Sequence, residues 1–131
     1  MARVHTLTIM AVEPSTGELA LGVVSHYAGV GAIVPVLVRG RGAFAIQASG
    51  SRRIAERARE SMVRSEPLPL TAVVIEELLA GDERREERQI GALFVGNSEG
   101  AGFTGSRCVP EAGVRTGPHY LILGNMLSVG T

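Results

Sequence analysis

The chain of 131 residues suits one domain, and 45 % of its residues are apolar, which is enough for a core. Its 13 basic and 13 acidic residues cancel, so it lacks the basic excess typical of a general nucleic-acid binder. All 13 basic residues are Arg, which excludes lysine as a Schiff base or a general base.

Cysteine use and hydropathy indicate a cytoplasmic protein. The single cysteine, Cys108, excludes an internal disulfide and fits a reducing compartment. The first residues show no apolar core with a small-residue cleavage site, so no signal peptide is predicted. No apolar run approaches the length of a membrane span, and we expect no contact with a membrane or with nucleic acid.

The N-terminal segment predicts a β-hairpin. Residues 5–12 and 18–25 are short apolar runs with β-branched members, and the turn sequence "EPSTG" joins them. Both faces of this hairpin are apolar, so we expect other layers to cover both faces.

The hairpin register brings polar residues together at its open end. If paired residue numbers sum to 31, Thr6 lies opposite Ser25 and His5 lies opposite His26. By residue type, Thr6 is only a common strand former. Adjacent strand residues point to opposite faces, so Ser25 and His26 alone make a weak catalytic dyad.

The rest of the chain predicts strands, then two helices, then strands. This order favours an α+β architecture in which an antiparallel sheet carries helices on one face. The charge run "DERREER" at 82–88 has mixed signs and indicates a solvated linker. Ser49 or Ser51 is expected to cap the first helix. The predicted strands are 31–38, 43–47, 88–96, 101–105 and 119–125, and the predicted helices are 51–64 and 67–82.

No cofactor or metal is predicted. The strong ligand candidates His5, His26, His119 and Cys108 show no ligand spacing. The glycine-rich turns match neither nucleotide-binding fingerprint. Cys108 has no base beside it in the sequence and is interpreted as a small buried apolar residue rather than a nucleophile.

Six segments, in this order from about Thr6 to about Leu127, carry a family resemblance: "TLTIMAVEPSTGELALGVVSHYAGVGAIVP", "GRGAFAIQAS", "ERQIGALF", "FTGSRC", "AGVRTG" and "GNML". With them the chain resembles the family called domain of unknown function 1028, in the N-terminal-nucleophile (Ntn) hydrolase superfamily. The resemblance implies an α+β fold, an αββα sandwich of antiparallel sheets with outer helices. It also implies one domain over 1–131, with residues 1–5 as a leader and the C-terminal part of the family domain absent.

The resemblance further implies a site. Thr6 would be the nucleophile once residues 1–5 are removed, with its own α-amine as the base. Ser25 and His26 would line the cleft, and backbone N–H groups near Ser49 and Gly50 would form an oxyanion hole.

The implied function is hydrolysis of a small-molecule amide or a peptide. Arg39, Gln47 and Asn125 are candidate substrate-binding residues, although buried amides often hold turns, and we favour that role for Gln47 and Asn125. The alternative is a non-catalytic Ntn-fold protein that acts as an assembly or binding module. The leader supports that alternative, as do Ile46 and Val114, where the family often has Thr and His. An unfinished sheet leaves an open edge, so we expect a homo-oligomer.

Overall fold

Two four-stranded antiparallel sheets face each other, and two helices pack on the outer face of one of them. This arrangement comes from a computed structural model that describes residues 5–128. The α+β prediction is confirmed, as is the packing of helices against one sheet face. Residues 1–4 of the expected leader lie outside the described residues.

The first sheet contains the N-terminal hairpin and two strands from the end of the chain. Its strands are β1 (Thr6–Val12), β2 (Leu19–Ser25), β7 (Gly113–Gly117) and β8 (Tyr120–Asn125). Their order across the sheet is β2-β1-β8-β7. β7 was not predicted, because this short edge strand begins and ends with glycine and shows no continuous apolar run.

The predicted register of the hairpin is confirmed. Thr6 pairs with Ser25, and the remaining pairs of β1 and β2 follow the same sum of 31. His5 and His26 meet beyond the last pair, with ring centroids 5.2 Å apart. Thr6 also pairs with Asn125 of β8, so it lies in the middle of the sheet rather than at an edge.

The second sheet has the order β3-β4-β5-β6. Its strands are β3 (Pro35–Val38), β4 (Gly42–Ala48), β5 (Arg88–Phe94) and β6 (Ala101–Thr104). β3 is shorter than predicted, because Val30–Ala32 form a 3-10 helix before it. β4 and β5 are central and covered on both faces, which explains their nearly continuous apolar sequences.

The helices α1 (Arg52–Arg64) and α2 (Thr71–Leu79) lie against the second sheet. Of the two candidate caps for α1, the structure selects Ser51, whose Oγ accepts the Ile54 N–H at 3.2 Å. The buried face of α1 is formed by Ile54, Ala58 and Met62, which are spaced four residues apart in the sequence. None of the helices among residues 5–128 is long and apolar enough to cross a membrane.

The outer face of the first sheet is not covered within residues 5–128, so the described layers are α-β-β rather than αββα. On the inner face of β1, Thr8 and Met10 are fully buried between the sheets. On the outer face, Ile9 is 49 % exposed and Val24 is 64 % exposed. The expectation that both faces of the hairpin are covered is therefore wrong for the described residues, because both helices pack on the second sheet.

Candidate functional site

The structure brings Thr6 and Ser25 together at the open end of the hairpin. Thr6 is the first residue of β1 and is only 6 % exposed. Its Oγ1 lies 3.0 Å from the Oγ of Ser25. The Ser25 Oγ also accepts the N–H of Tyr27 at 3.1 Å, which holds the serine side chain in place beside Thr6.

A buried cluster of polar side chains lies between the sheets at the same end as Thr6. Thr8 donates to Gln47 Oε1 at 2.7 Å, and Gln47 donates to Gln89 Oε1 at 2.8 Å. Asn125 donates to the same Gln89 oxygen at 3.1 Å. Each of these four residues is at most 2 % exposed. Gln47 and Asn125 are thus hydrogen-bonded to other side chains within the core. This is a structural role of the kind favoured for them above.

Gln89 is the residue that the sequence analysis missed. Its Nε2 lies 2.8 Å from the Gly124 carbonyl, 3.0 Å from Thr104 Oγ1 and 3.2 Å from the Gly113 carbonyl. It therefore links β5 of one sheet to β7 and β8 of the other. One signal was available, because Gln89 follows Arg88 at the start of a central strand whose other residues are apolar or glycine, and a polar side chain there needs buried partners.

His26 lies on the other side of the first sheet. It lines a cavity with His5, Leu7 and Val24, and Thr6 is not part of that cavity. Alternation along β2 explains this, since neighbouring residues of a strand point to opposite faces. The structure thus brings His26 to His5 and not to Thr6.

Ser49 and Gly50 lie in the loop between β4 and α1, and a buried arginine holds that loop. Arg88, 6 % exposed, donates through Nη1 to the carbonyl oxygens of Ser49 at 2.9 Å and Gly50 at 3.0 Å. Its Nε donates to Asp82 Oδ2 at 2.9 Å. This hydrogen bond holds the pKa of Asp82 below its usual value.

The interpretation of 82–88 as a solvated linker is wrong for the two ends of that segment. Asp82 and Arg88 form an ion pair in which their side chains are only 15 % and 7 % exposed. The mixed signs of the charges indicated a solvated surface. Arg88 is instead also hydrogen-bonded to the loop before α1, which is distant in the chain.

Thr6 lines two cavities. The first has a volume of about 650 Å³ and a mostly apolar wall. Its larger apolar residues are Tyr27, Val30, Ile33, Val34 and Ile46, and the polar residues Gln47, Ser51 and Arg52 also line it. The second cavity has a volume of about 390 Å³ and contains the charged residues Arg84, Glu87 and Arg107. Gly50 lines the first cavity and Ser49 the second, so the loop before α1 passes beside both.

Arg39 is not brought to this site. It lies in the turn between β3 and β4, whereas Gln47 and Ala48 are at the other end of β4. A strand of that length spans about 20 Å. The structure therefore separates Arg39 from the other candidate substrate-binding residues.

Cys108 is partly buried, and its Sγ donates to the Arg88 carbonyl at 3.3 Å. Burial raises the pKa of its thiol, which disfavours the reactive thiolate. Among residues 5–128, no three His, Cys, Asp or Glu side chains are grouped as a metal site.

The fold and site define an α+β sandwich of two antiparallel sheets, with a threonine between two cavities. Residues 6–130 match the family model described as "Family of unknown function (DUF1028)", and the chain belongs to that family. It is similar to the crystal structure of protein SPO2555 from Silicibacter pomeroyi, whose title gives the same family. The TM-score is 0.86 at 24 % identity, over 96 % of this chain and 54 % of that one, so this chain spans about half of that protein's length. No curated protein matches the chain.

Proposed function

We propose that the protein is an Ntn-type hydrolase that cleaves an amide or peptide bond, with Thr6 as the nucleophile. The observation that carries the proposal is the position of Thr6. It begins β1, its Oγ1 lies 3.0 Å from Ser25 Oγ, and it lines both adjoining cavities, as Ala48 also does. The family resemblance supplies the reaction class.

The proposed reaction begins with cleavage of the peptide bond between His5 and Thr6. The new α-amine, with a pKa of about 8, takes the proton of Thr6 Oγ1 while that oxygen attacks the substrate carbonyl carbon. The C–N bond then breaks, and the same proton passes to the leaving nitrogen. Water hydrolyses the resulting threonine ester, releasing a carboxylic acid and restoring the hydroxyl.

The loop before α1 is the proposed oxyanion site. Its backbone N–H groups at Ser49 and Gly50 would stabilise the charge on the carbonyl oxygen during attack. Arg88 binds the Ser49 carbonyl, which belongs to the same peptide group as the Gly50 N–H, and this bond restrains the direction of that N–H. Ser25 would hold the Thr6 hydroxyl in position.

Mass spectrometry and N-terminal sequencing of protein from its native host test this proposal. We expect a chain that begins at Thr6, and we expect an activated ester to acylate the Thr6 hydroxyl. Thr6→Ser should retain acylation, because serine keeps the hydroxyl, whereas Thr6→Val should abolish it. A chain that still begins at Met1 or Ala2 and forms no ester would contradict the proposal.

A second candidate function, non-catalytic assembly, is supported by the outer face of the first sheet, which no helix among residues 5–128 covers. Leu7, Ile9, Val24 and Ile122 are neighbours there across β2, β1 and β8. Apolar sheet faces of this kind commonly mark interaction sites. We propose a second copy of the chain as the partner.

Light scattering after size exclusion tests the assembly. Val24→Arg should give monomers, because it places a charge on the apolar face. Val63→Arg is a matched control, since Val63 is 61 % exposed but lies on α1, against 64 % for Val24. Equal masses for both variants would count against an interface at this face.

A further inference from the structure

We infer that the substrate is an N-acyl amino acid, in which an apolar acyl group is joined to an amine that carries a carboxylate. The inference rests on the proposed role of Thr6 and specifies what its two cavities bind. Because Thr6 lines both, a bond cleaved at its Oγ1 has one half of the substrate on each side.

The larger cavity suits an apolar chain. Ile33, Val34 and Ile46 contribute to its wall, and Ile33 is 50 % exposed. Its volume of about 650 Å³ lies in the range of small-molecule sites. An acyl chain that enters it removes this apolar surface from water, and each buried methylene strengthens binding by about fourfold.

The smaller cavity suits an anion. Glu87 lies 2.6 Å from Arg84 and 3.6 Å from Arg107, so two arginines share one carboxylate. Among residues 5–128, Glu87 is the one acid in the lining of this cavity, which leaves one positive charge in excess. The larger cavity also has an arginine in its lining, Arg52, but that side chain is 93 % exposed and is paired with Glu56. Arg84 and Arg107 are 59 % and 61 % exposed, so a bound carboxylate would be held by solvent-screened contacts.

The surroundings of the Thr6 backbone nitrogen indicate which cavity binds the amine half of the substrate. His5, which precedes it, is hydrogen-bonded to the Met126 carbonyl, and Asn125 is the β8 partner of Thr6. Met126 and Asn125 both line the charged cavity. Thr6 lines both cavities, but its strand partner Asn125 lines only the charged one, so we assign the leaving nitrogen to that cavity, where the new α-amine would deliver the proton.

The assigned reaction is balanced with water alone. Thr6 Oγ1 bonds to the acyl carbon, the amide C–N bond breaks, and the amino acid leaves from the charged cavity with the proton. Water then cleaves the acyl–threonine ester in the apolar cavity, and a free carboxylic acid is released.

Calorimetric binding to the Thr6→Val chain tests the inference without turnover. N-octanoylglycine carries both halves, N-acetylglycine lacks the apolar chain, and N-ethyloctanamide lacks the carboxylate. We expect N-octanoylglycine to bind at least about tenfold more tightly than N-acetylglycine, and about threefold more tightly than N-ethyloctanamide.

Two pairs of variants test which cavity binds each half of the substrate. Ile33→Thr should weaken N-octanoylglycine binding about threefold, whereas Ile9→Thr, at an equally exposed isoleucine on the outer sheet face, should not. Arg107→Gln should remove the preference over N-ethyloctanamide, whereas Arg115→Gln, on β7, should retain it.

Either of two results would overturn the inference: no binding of N-octanoylglycine up to about 10 mM, or equal effects within each variant pair. Failure of the proposed function is distinguishable from these results. If only the proposed function fails, the binding preferences will appear as expected, but chains that begin at Thr6 will form no acyl ester.

Discussion

Replacement of Gln89 by methionine should destabilise the protein strongly, although the two side chains have similar length and volume. Gln89 is fully buried and accepts hydrogen bonds from the amides of Gln47 and Asn125. Methionine offers only a weak sulfur acceptor, so both donors would remain buried with no comparable partner. The Gly124 carbonyl would lose the Gln89 donor as well.

The magnitude follows from the number of groups left unsatisfied. Each buried donor or acceptor that loses its partner costs about 1–3 kcal/mol. With two amide donors and two carbonyls affected, those of Gly113 and Gly124, and some relief from the apolar replacement, we expect a loss of about 4 kcal/mol. That is a large fraction of the stability of about 5–15 kcal/mol typical of a domain.

Urea unfolding followed by circular dichroism provides the assay, and Thr104→Val is the matched control. Thr104 accepts from Gln89 at 3.0 Å, but the Gln89 amide also reaches two carbonyl groups, so the control should lose about 1 kcal/mol or less. A loss below about 1 kcal/mol for Gln89→Met, or equal losses for the two variants, would refute the assignment of Gln89 as the centre of the polar cluster.

Two further predictions concern a helix cap and an ion pair. Ser51→Ala should lower the free energy of unfolding by about 1 kcal/mol, because the Ile54 N–H loses its acceptor. The control Ser61→Ala, inside α1, should be nearly neutral in the same urea titration. Asp82→Asn should cost about 3 kcal/mol at pH 7, since Arg88 is left buried without its charge partner. The pKa of Asp82 is lowered in the folded state, so its contribution is present above the unfolded pKa of about 3.9 and is lost as pH falls through the folded value. The stability gap between Asp82→Asn and wild type should therefore narrow in unfolding titrations below about pH 4, and a constant gap would contradict the role of the charge.

The features predictable from the sequence are those set by local periodicity. The hairpin register follows from a short turn between two apolar runs, which also identifies Thr6 and Ser25 as partners. The buried face of α1 follows from apolar residues four apart. β7 has neither signal, since its pairing with β8 depends on the tight turn between them and on the neighbouring strand β1.

The parts of the site that were not predicted depend on contacts between residues distant in the chain. Gln89 reaches Gly124, 35 positions away, and Arg88 reaches Ser49, 39 positions away. Both residues lie in the segment "ERQIGALF" that carries the family resemblance, but each has a polar side chain whose partner becomes visible only in the folded structure. A polar residue at the start of an apolar strand indicates that such a partner is needed, but it does not identify the partner.

The location of the polar cluster supports a role beyond stability. The interior at the other end of the sandwich is apolar, with Met10, Leu93 and Leu121 fully buried. Replacing a fully hydrogen-bonded pair by apolar groups of the same shape is often neutral or stabilising, so an apolar cluster beside Thr6 would serve the fold equally well. A satisfied network instead restrains the strands that carry it, because each member has few alternative partners. Its placement beside Thr6, and not throughout the core, is what the proposed role of Thr6 as a nucleophile between two cavities would require.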